Sequence, residues 1–387
     1  MANLSIPRVG AHDCVELAAD LIRIPSPSGE EERLATYVAD WLRRMGASVE
    51  WVQPANVLAT IHGGRPGPRR LFLAHSDTMS RGEMADPYAA AVVPGKMVGA
   101  AEPALRGLGA SAPKSALAAM MAALQAVRAR SDGLTGSVQV AIVTKDLRAN
   151  HEGVRELFAG ASIDADWVVA GEPSGNQLVI GARGIAQLRI TIEGRAAHWG
   201  RPDEAANPLY GVADLLQRIR TLDLPVHPRL GRATLAPFEV SSEHAPPHTP
   251  HVACVRLDRR LLPGEQADRV VGQLEALMGA VTTSTPGLTY SITVERMMHP
   301  LQIAEDDPFV INLGARVAAA LGVARPTRYI TFSSNAGYMA NVKQWPSVGF
   351  GPGEISDLGP QEHVAVRQLR DAARSYAAMM TLDWPSR

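Results

Sequence analysis

Two cysteines in 387 residues, Cys14 and Cys254, stand far apart and match no metal or redox spacing. That disfavours a disulfide scaffold or a structural zinc knot and points to a reducing compartment, the cytoplasm. An excess of either charge is also missing. Lys+Arg 38 against Asp+Glu 39 leaves a formal charge of -1, so no global field draws the chain onto nucleic acid or an anionic membrane. No stretch is long and apolar enough to span a bilayer, and Met1 to Pro7 lacks the charged and apolar regions of a secretion signal. No internal repeat or low-complexity tract occurs. What remains is 46% hydrophobic and 20% charged, enough for a packed interior, and the length suits two domains better than one.

Helical spacing predicts helices over 11–24, Glu31 to Met45 and Lys114 to Arg130. The short apolar runs NVLATIHG and RRLFLAHSD, and the β-branched runs SVQVAIVTKD and ADWVVAGEP, read as strands, the last two as strands buried on both faces. Strands alternating with helices indicate an α/β sandwich. After Gly184 the pattern changes. Residues 185–194 alternate apolar and polar, as in a strand with one wet face. Helices at Pro208 to Leu222 and Glu265 to Met278, with strands at Val252 to Asp258 and Leu288 to Arg296, are read as parts of a β-α-β-β-α-β unit. From His299 the α/β pattern resumes: a helix at Asp307 to Leu321, a strand at Ser347 to Phe350 and a helix at Ala365 to Met380. The expected organisation is a discontinuous α/β domain, 1–183 and 298–387, with an α+β, ferredoxin-like domain at 184–297 inserted in it.

His75 and Asp77 close the run RRLFLAHSD. Their spacing of two turns both to one side of a strand end, where α/β folds place their sites. A His with a carboxylate that fixes its tautomer is a metal-ligand pattern, and equally a His satisfied by a neighbouring acid.

The ordered series HSDT, GLGASAPK, GEPSG, GARG, EGRAAHWGRP with AANP, LDRRLLPGE and GFGPG with PQEH resembles the zinc aminoacylase/carboxypeptidase family from about Ile24 to the C-terminus. That family includes acetylornithine deacetylase, succinyl-diaminopimelate desuccinylase and the hydrolases that release lysine or ornithine from an amino-group carrier protein. The resemblance implies a catalytic α/β domain with an inserted lid and dimerisation domain. It also implies two zinc ions on five side chains, with a further Glu as general base. His75, Asp77 and Glu172 match the family's motifs. The bridging Asp does not: the loop reads Gly107-Leu108-Gly109-Ala110-Ser111-Ala112-Pro113-Lys114, with Ala112 at that place. No adjacent carboxylate pair follows SVQVAIV, and the last His is replaced by Leu358. Two matching ligands remain, His75 and Glu172, where a catalytic zinc takes three protein ligands and water. The expectation is therefore no metal cofactor, zinc being retained only if Asp77, Asp146, Asp357 or His363 is recruited.

The resemblance also carries substrate-holding roles. His198 matches a His that reaches across the dimer to the scissile carbonyl oxygen, and Arg260 a lid Arg that grips a substrate carboxylate. Asn207 and the Gly351-Pro352-Gly353 turn match positions lining the cleft. The bland alternatives are that His198 caps its own loop and Arg260 pairs with Asp258. Ser111 and Lys114 form Ser-x-x-Lys, which the family shares and which is read as structural. Lys145 is expected either to stand in for the metal charge or, equally, to point into solvent at a strand end; His198, Lys145 and Asp77 form the candidate catalytic set. Arg260, Asn207, Gly351, His75 and Glu172 form the binding set. The expected partners are a second copy of the chain, joined through the lid, and a small amino acid in amide or isopeptide linkage, free or on a carrier protein. Three outcomes stay open: a metal-independent amide hydrolase or acyl transferase, a non-catalytic binding protein, and a zinc hydrolase with substituted ligands.

Overall fold

The computed structural model describes residues 13–129 and 134–384; Met1 to Pro7, the start of the first predicted helix and Arg130 fall outside them. Two compact units are present. One takes the chain up to Gly181, then Leu301–Tyr329 and Ser334 onward, and the other Ala182–Pro300 with Ile330–Ser333.

The first unit is built on a mixed sheet. Its strands run in the order Ser48–Val52, Asn56–His62, Thr135–Val143, Arg65–His75, Trp167–Gly171, Ser347–Phe350, Val179–Ala182 and Leu301–Gln302, with Arg328–Ile330 also paired to Val179–Ala182. The four strands from Thr135–Val143 to Ser347–Phe350 are parallel. Parallel strands need both faces covered, which is why they are nearly continuous apolar runs. Period two splits the strand Arg65–His75. Phe72 and Ala74 enter one core with Trp167 and Tyr376, and Leu71 and Leu73 enter another with Val143, Val154 and Leu157. The Phe72 ring meets Trp167 and Tyr376 edge-on at 5.7 and 5.9 Å. The larger core is closed by the helices Asp13–Arg23, Lys114–Arg128, Pro308–Leu321 and Val366–Met380, and the smaller one by Glu152–Gly160. Asp307 caps Pro308–Leu321 by accepting from the Phe309 amide at 2.8 Å, and Gly322, at φ +72°, ends it. No helix among the described residues is long and apolar enough to cross a membrane.

The second unit is a four-stranded antiparallel sheet in the order Thr234–Glu243, Val252–Leu261, Gly184–Glu193, Thr289–Met298. The helices Pro208–Thr221 and Ala267–Ser284 share its core with Leu188, Ile190, Ile192, Val255 and Leu257. The fold is thus an α/β domain interrupted by an α+β domain. Sequence patterning did not locate Thr234–Glu243. This strand is exposed along almost its whole length and shifts register between Pro237 and Glu239, so it lacks the alternation that marks a half-buried strand, and its proline is tolerated only because it lies at an edge. The second helix also runs to Ser284, six residues beyond the expected Met278.

Candidate active site

The C-terminal ends of the four parallel strands converge, as the switch-point rule for such sheets requires. His75 ends the first, Thr144 and Lys145 follow the second, Glu172 follows the third and Gly351 the fourth. The His75 Nδ1–H donates to Asp77 Oδ1 at 3.1 Å, which leaves Nε2 facing Asp146 Oδ2 at 4.0 Å. Glu172 receives a hydrogen bond from Ser334. Asn335 donates to Asp146 Oδ1 at 2.7 Å and accepts at Oδ1 from His151 Nδ1 at 2.8 Å. The amide orientation of Asn335 is fixed by this, since a carboxylate can only accept. Asn335 and His151 were not singled out from the sequence; the Ser-Asn pair 334–335 at a helix start was the signal available, and Ser334 does cap that turn through the Ala336 amide at 3.1 Å.

Asp77 and Glu172 are buried and His75 and Asp146 half-buried, and this desolvation sets the electrostatics of the cluster. Desolvation pushes Glu172 up to about 8 and also raises Asp146. For His75, burial opposes the charge, but the carboxylates of Asp146, Asp77 and Glu172 outweigh it and raise the imidazole to about 9. Asp77 is fully buried. Burial would raise it, and its hydrogen bond to His75 and the backbone donors hold it below the usual carboxylate range.

Two members of the expected catalytic set change role. Asp77 accepts from His75 and from the amides of Asp146 and Leu147, both at 3.0 Å. Its lone pairs are committed, so it orients His75 and does not itself meet a substrate. Lys145 does not replace the metal charge. Its backbone is left-handed at φ +56° and its Nζ lies 2.8 Å from both Glu152 and Glu156, two anions that neutralise it on the helix Glu152–Gly160.

The binding set divides. Gly351 is needed for close approach: a Cβ there would stand 2.5 Å from the Glu172 carbonyl oxygen. Asn207 caps the helix Pro208–Thr221 by accepting from the Leu209 amide at 3.0 Å. His198 is exposed, and its Nδ1 accepts from the Gly200 amide at 3.0 Å, leaving Nε2 as the ring's donor. Arg260 donates from Nε to Asp258 Oδ1 at 2.7 Å. Both alternatives weighed for these two residues are therefore realised, and each still keeps a donor for a ligand. Ser111 Oγ donates to the Glu354 carbonyl at 2.7 Å and Lys114 Nζ to the Ile24 carbonyl at 2.6 Å, separate structural duties in agreement with their reading.

The donor set does not suit a dinuclear metal centre. Ala112 and Leu358 have no coordinating atom, Asp77 is spent on His75, and His363 and Asp357 line a different cavity. Among the described residues, no group of three or more His, Cys, Asp or Glu is placed to hold a metal ion.

Residues 180–285 match the model of a peptidase dimerisation domain from the M20 family. Succinyl-diaminopimelate desuccinylase of Methylococcus capsulatus is 25% identical over 95% of this chain and 98% of its own. The enzyme of the same name from Methylobacterium radiotolerans is 33% identical over 52% of this chain and 54% of its own. A tripeptidase from Staphylococcus aureus superposes with a TM-score of 0.77 at 18% identity, covering 96% of this chain and 98% of that one. An M20 metallo-carboxypeptidase from Sulfolobus solfataricus does so at 0.70 and 15%, covering 96% and 99%. A dinuclear metal-binding M20 peptidase from Bacillus subtilis gives 0.71 and 14%, covering 96% and 97%.

Proposed function

Because the chain belongs to the M20 aminoacylase/carboxypeptidase family, we propose that it cleaves the amide bond of a small N-acylated amino acid, free or on a carrier protein, without the dinuclear zinc centre. The observation that carries this is the combination of absent donors, Ala112 and Leu358, with an intact polar cluster at the same strand ends. A relic would have no reason to keep a half-buried His75 oriented by Asp77 and a half-buried Asp146 oriented by Asn335, since desolvating charged groups is costly. His75 Nε2 and Asp146 Oδ2, 4.0 Å apart, are close enough for one water molecule to touch both. In this reading that water attacks the carbonyl carbon, its proton passes to Asp146, and the proton returns to the nitrogen as the C–N bond breaks. Arg260 holds the substrate carboxylate, and His198 Nε2, supplied by a second copy across the dimer, donates to the carbonyl oxygen as charge develops there.

Elemental analysis and turnover of N-succinyl and N-acetyl amino acids after chelation test this together. Less than one zinc per chain with turnover that survives chelation supports the proposal. Two ions per chain, or activity restored only by added zinc, overturns it in favour of substituted ligands. Ligand binding with no turnover in either state overturns it in favour of a binding protein.

A further inference from the structure

The first unit holds a second polar cavity of about 400 Å³, whose lining includes none of His75, Asp77, Asp146 and Glu172. Its walls come from the turn after Trp167–Gly171, the loop before Ala104–Arg106, the segment 354–357 and the start of the helix Val366–Met380. Asn176 lies in this wall, 1% exposed and held at φ +60°. Its Nδ2 donates to the Gln368 carbonyl at 2.7 Å, which rules out the flipped amide, and its buried Oδ1 has no hydrogen-bond partner. A buried acceptor left this way is destabilising, and a donor brought by a ligand relieves it.

The neighbouring groups specify the rest of that ligand. His363, 8% exposed, donates from Nδ1 to the Gln361 carbonyl at 2.8 Å, which leaves Nε2 for a ligand. Glu354 and Asp371 are already paired, with Arg328 and Arg374. Glu102 has no ion pair among the described residues, and Asp357 accepts only from the adjacent Ser356 hydroxyl, at 3.3 Å. The lining thus holds acceptors that lack a cation. Arg325 and Arg367 also line the cavity and are exposed. Arg325 makes no ion pair among the described residues, and Arg367 only approaches Asp371 at 4.0 Å.

We infer that this cavity binds a free α-amino acid, its ammonium on Asn176 Oδ1 and the unpaired carboxylates and its carboxylate on Arg325 and Arg367. Neither a simple anion nor a simple amine engages both the acceptors and the two arginines, and the cavity is large enough to admit an amino acid. The site is independent of the reaction proposed for the His75 cluster.

Isothermal titration of the full chain with glycine, L-lysine and L-glutamate tests it, with cadaverine as an amine lacking a carboxylate and glutarate as a dicarboxylate lacking an amine. At least one amino acid binds with a Kd below about 1 mM, and both control compounds bind at least about tenfold more weakly. Asn176→Gly, which keeps the positive φ, weakens binding about tenfold or more, and so does Arg325→Ala/Arg367→Ala, whose exposed side chains are not needed for folding. Arg260→Ala, which disables the proposed cleft, binds the amino acid as the parent does. The inference is overturned if no amino acid binds, if cadaverine or glutarate binds equally well, if the arginine variant binds like the parent, or if Arg260→Ala abolishes binding, which places the amino acid in the cleft.

Discussion

Lys114 offers a sharp test of how the loop 107–114 is held where the family's bridging carboxylate would be. Its side chain is fully buried and donates to the Ile24 carbonyl at 2.6 Å. Desolvation lowers it from 10.5 to about 7 against the pull of Glu362. Glu362 in turn is raised by burial and accepts from the amides of Ser111 and Ala112 at 3.0 and 3.3 Å. The perturbation is Lys114→Met, with Glu362 left in place to accept from the loop amides. A fall of about 3.5 pKa units corresponds to about 5 kcal/mol of charging cost at most. The lost bond to the Ile24 carbonyl returns about 1 to 2 kcal/mol of this, so Lys114→Met should stabilise by about 3 kcal/mol at pH 6.5. The sign with pH follows from proton counting. Below about 7 both states carry the proton and the full cost is present. Between about 7 and 10.5 the unfolded chain binds a proton that the folded one does not, so the stability of the Lys114 form rises with pH and the advantage of Met fades. Urea unfolding of the parent and Lys114→Met at pH 6.5 and pH 10 measures this. An equal difference at the two pH values would refute the assignment of Lys114 as a desolvated lysine.

Three further outcomes follow from named contacts. Asp77→Asn should lower turnover about a hundredfold or more with little change in KM, because an amide at that place no longer fixes the His75 tautomer; unchanged kcat in steady-state kinetics would contradict the orienting role. Arg260→Ala should weaken substrate binding by about 2 to 5 kcal/mol, and His198→Ala should reduce kcat more than affinity; substrate titration and kinetics that match the parent in both variants would remove the substrate from the inherited cleft. Asn207→Ala should cost about 1 kcal/mol of stability through the lost helix cap, seen as a lower urea midpoint, and leave substrate affinity alone.

Much of the fold was legible because burial writes itself into the sequence. The strands Thr135–Val143 and Trp167–Gly171 are almost wholly apolar, and Gly184–Glu193 alternates because Ala186, Leu188, Ile190 and Ile192 share one core with the helices. Helix ends with explicit caps were also readable: Asn207-Pro208 and Asp307-Pro308 start their helices as the N-cap and N1 preferences demand. The strand Thr234–Glu243 escaped because it buries almost nothing, and with no burial there is no pattern to read.

The site was legible where a strand's parity fixes a direction and illegible where the chain leaves the strand. His75 and Asp77 share a side by period two, and they do meet. Lys145 lies two residues beyond Val143 and was assigned from its place in the resemblance, but left-handed backbone at Lys145, Ala149 and His151 breaks the strand parity three times within seven residues. Each such turn redirects the next side chain. Lys145 is sent onto Glu152 and Glu156, Asp146 toward His75, and His151 onto Asn335, from nearly two hundred residues further along the chain. A run of αL residues without glycine costs about 1 to 2 kcal/mol per position and persists only where contacts over-determine it. Here the contacts that do so are the ones that place Asp146 beside His75, the local arrangement on which the proposed reaction depends.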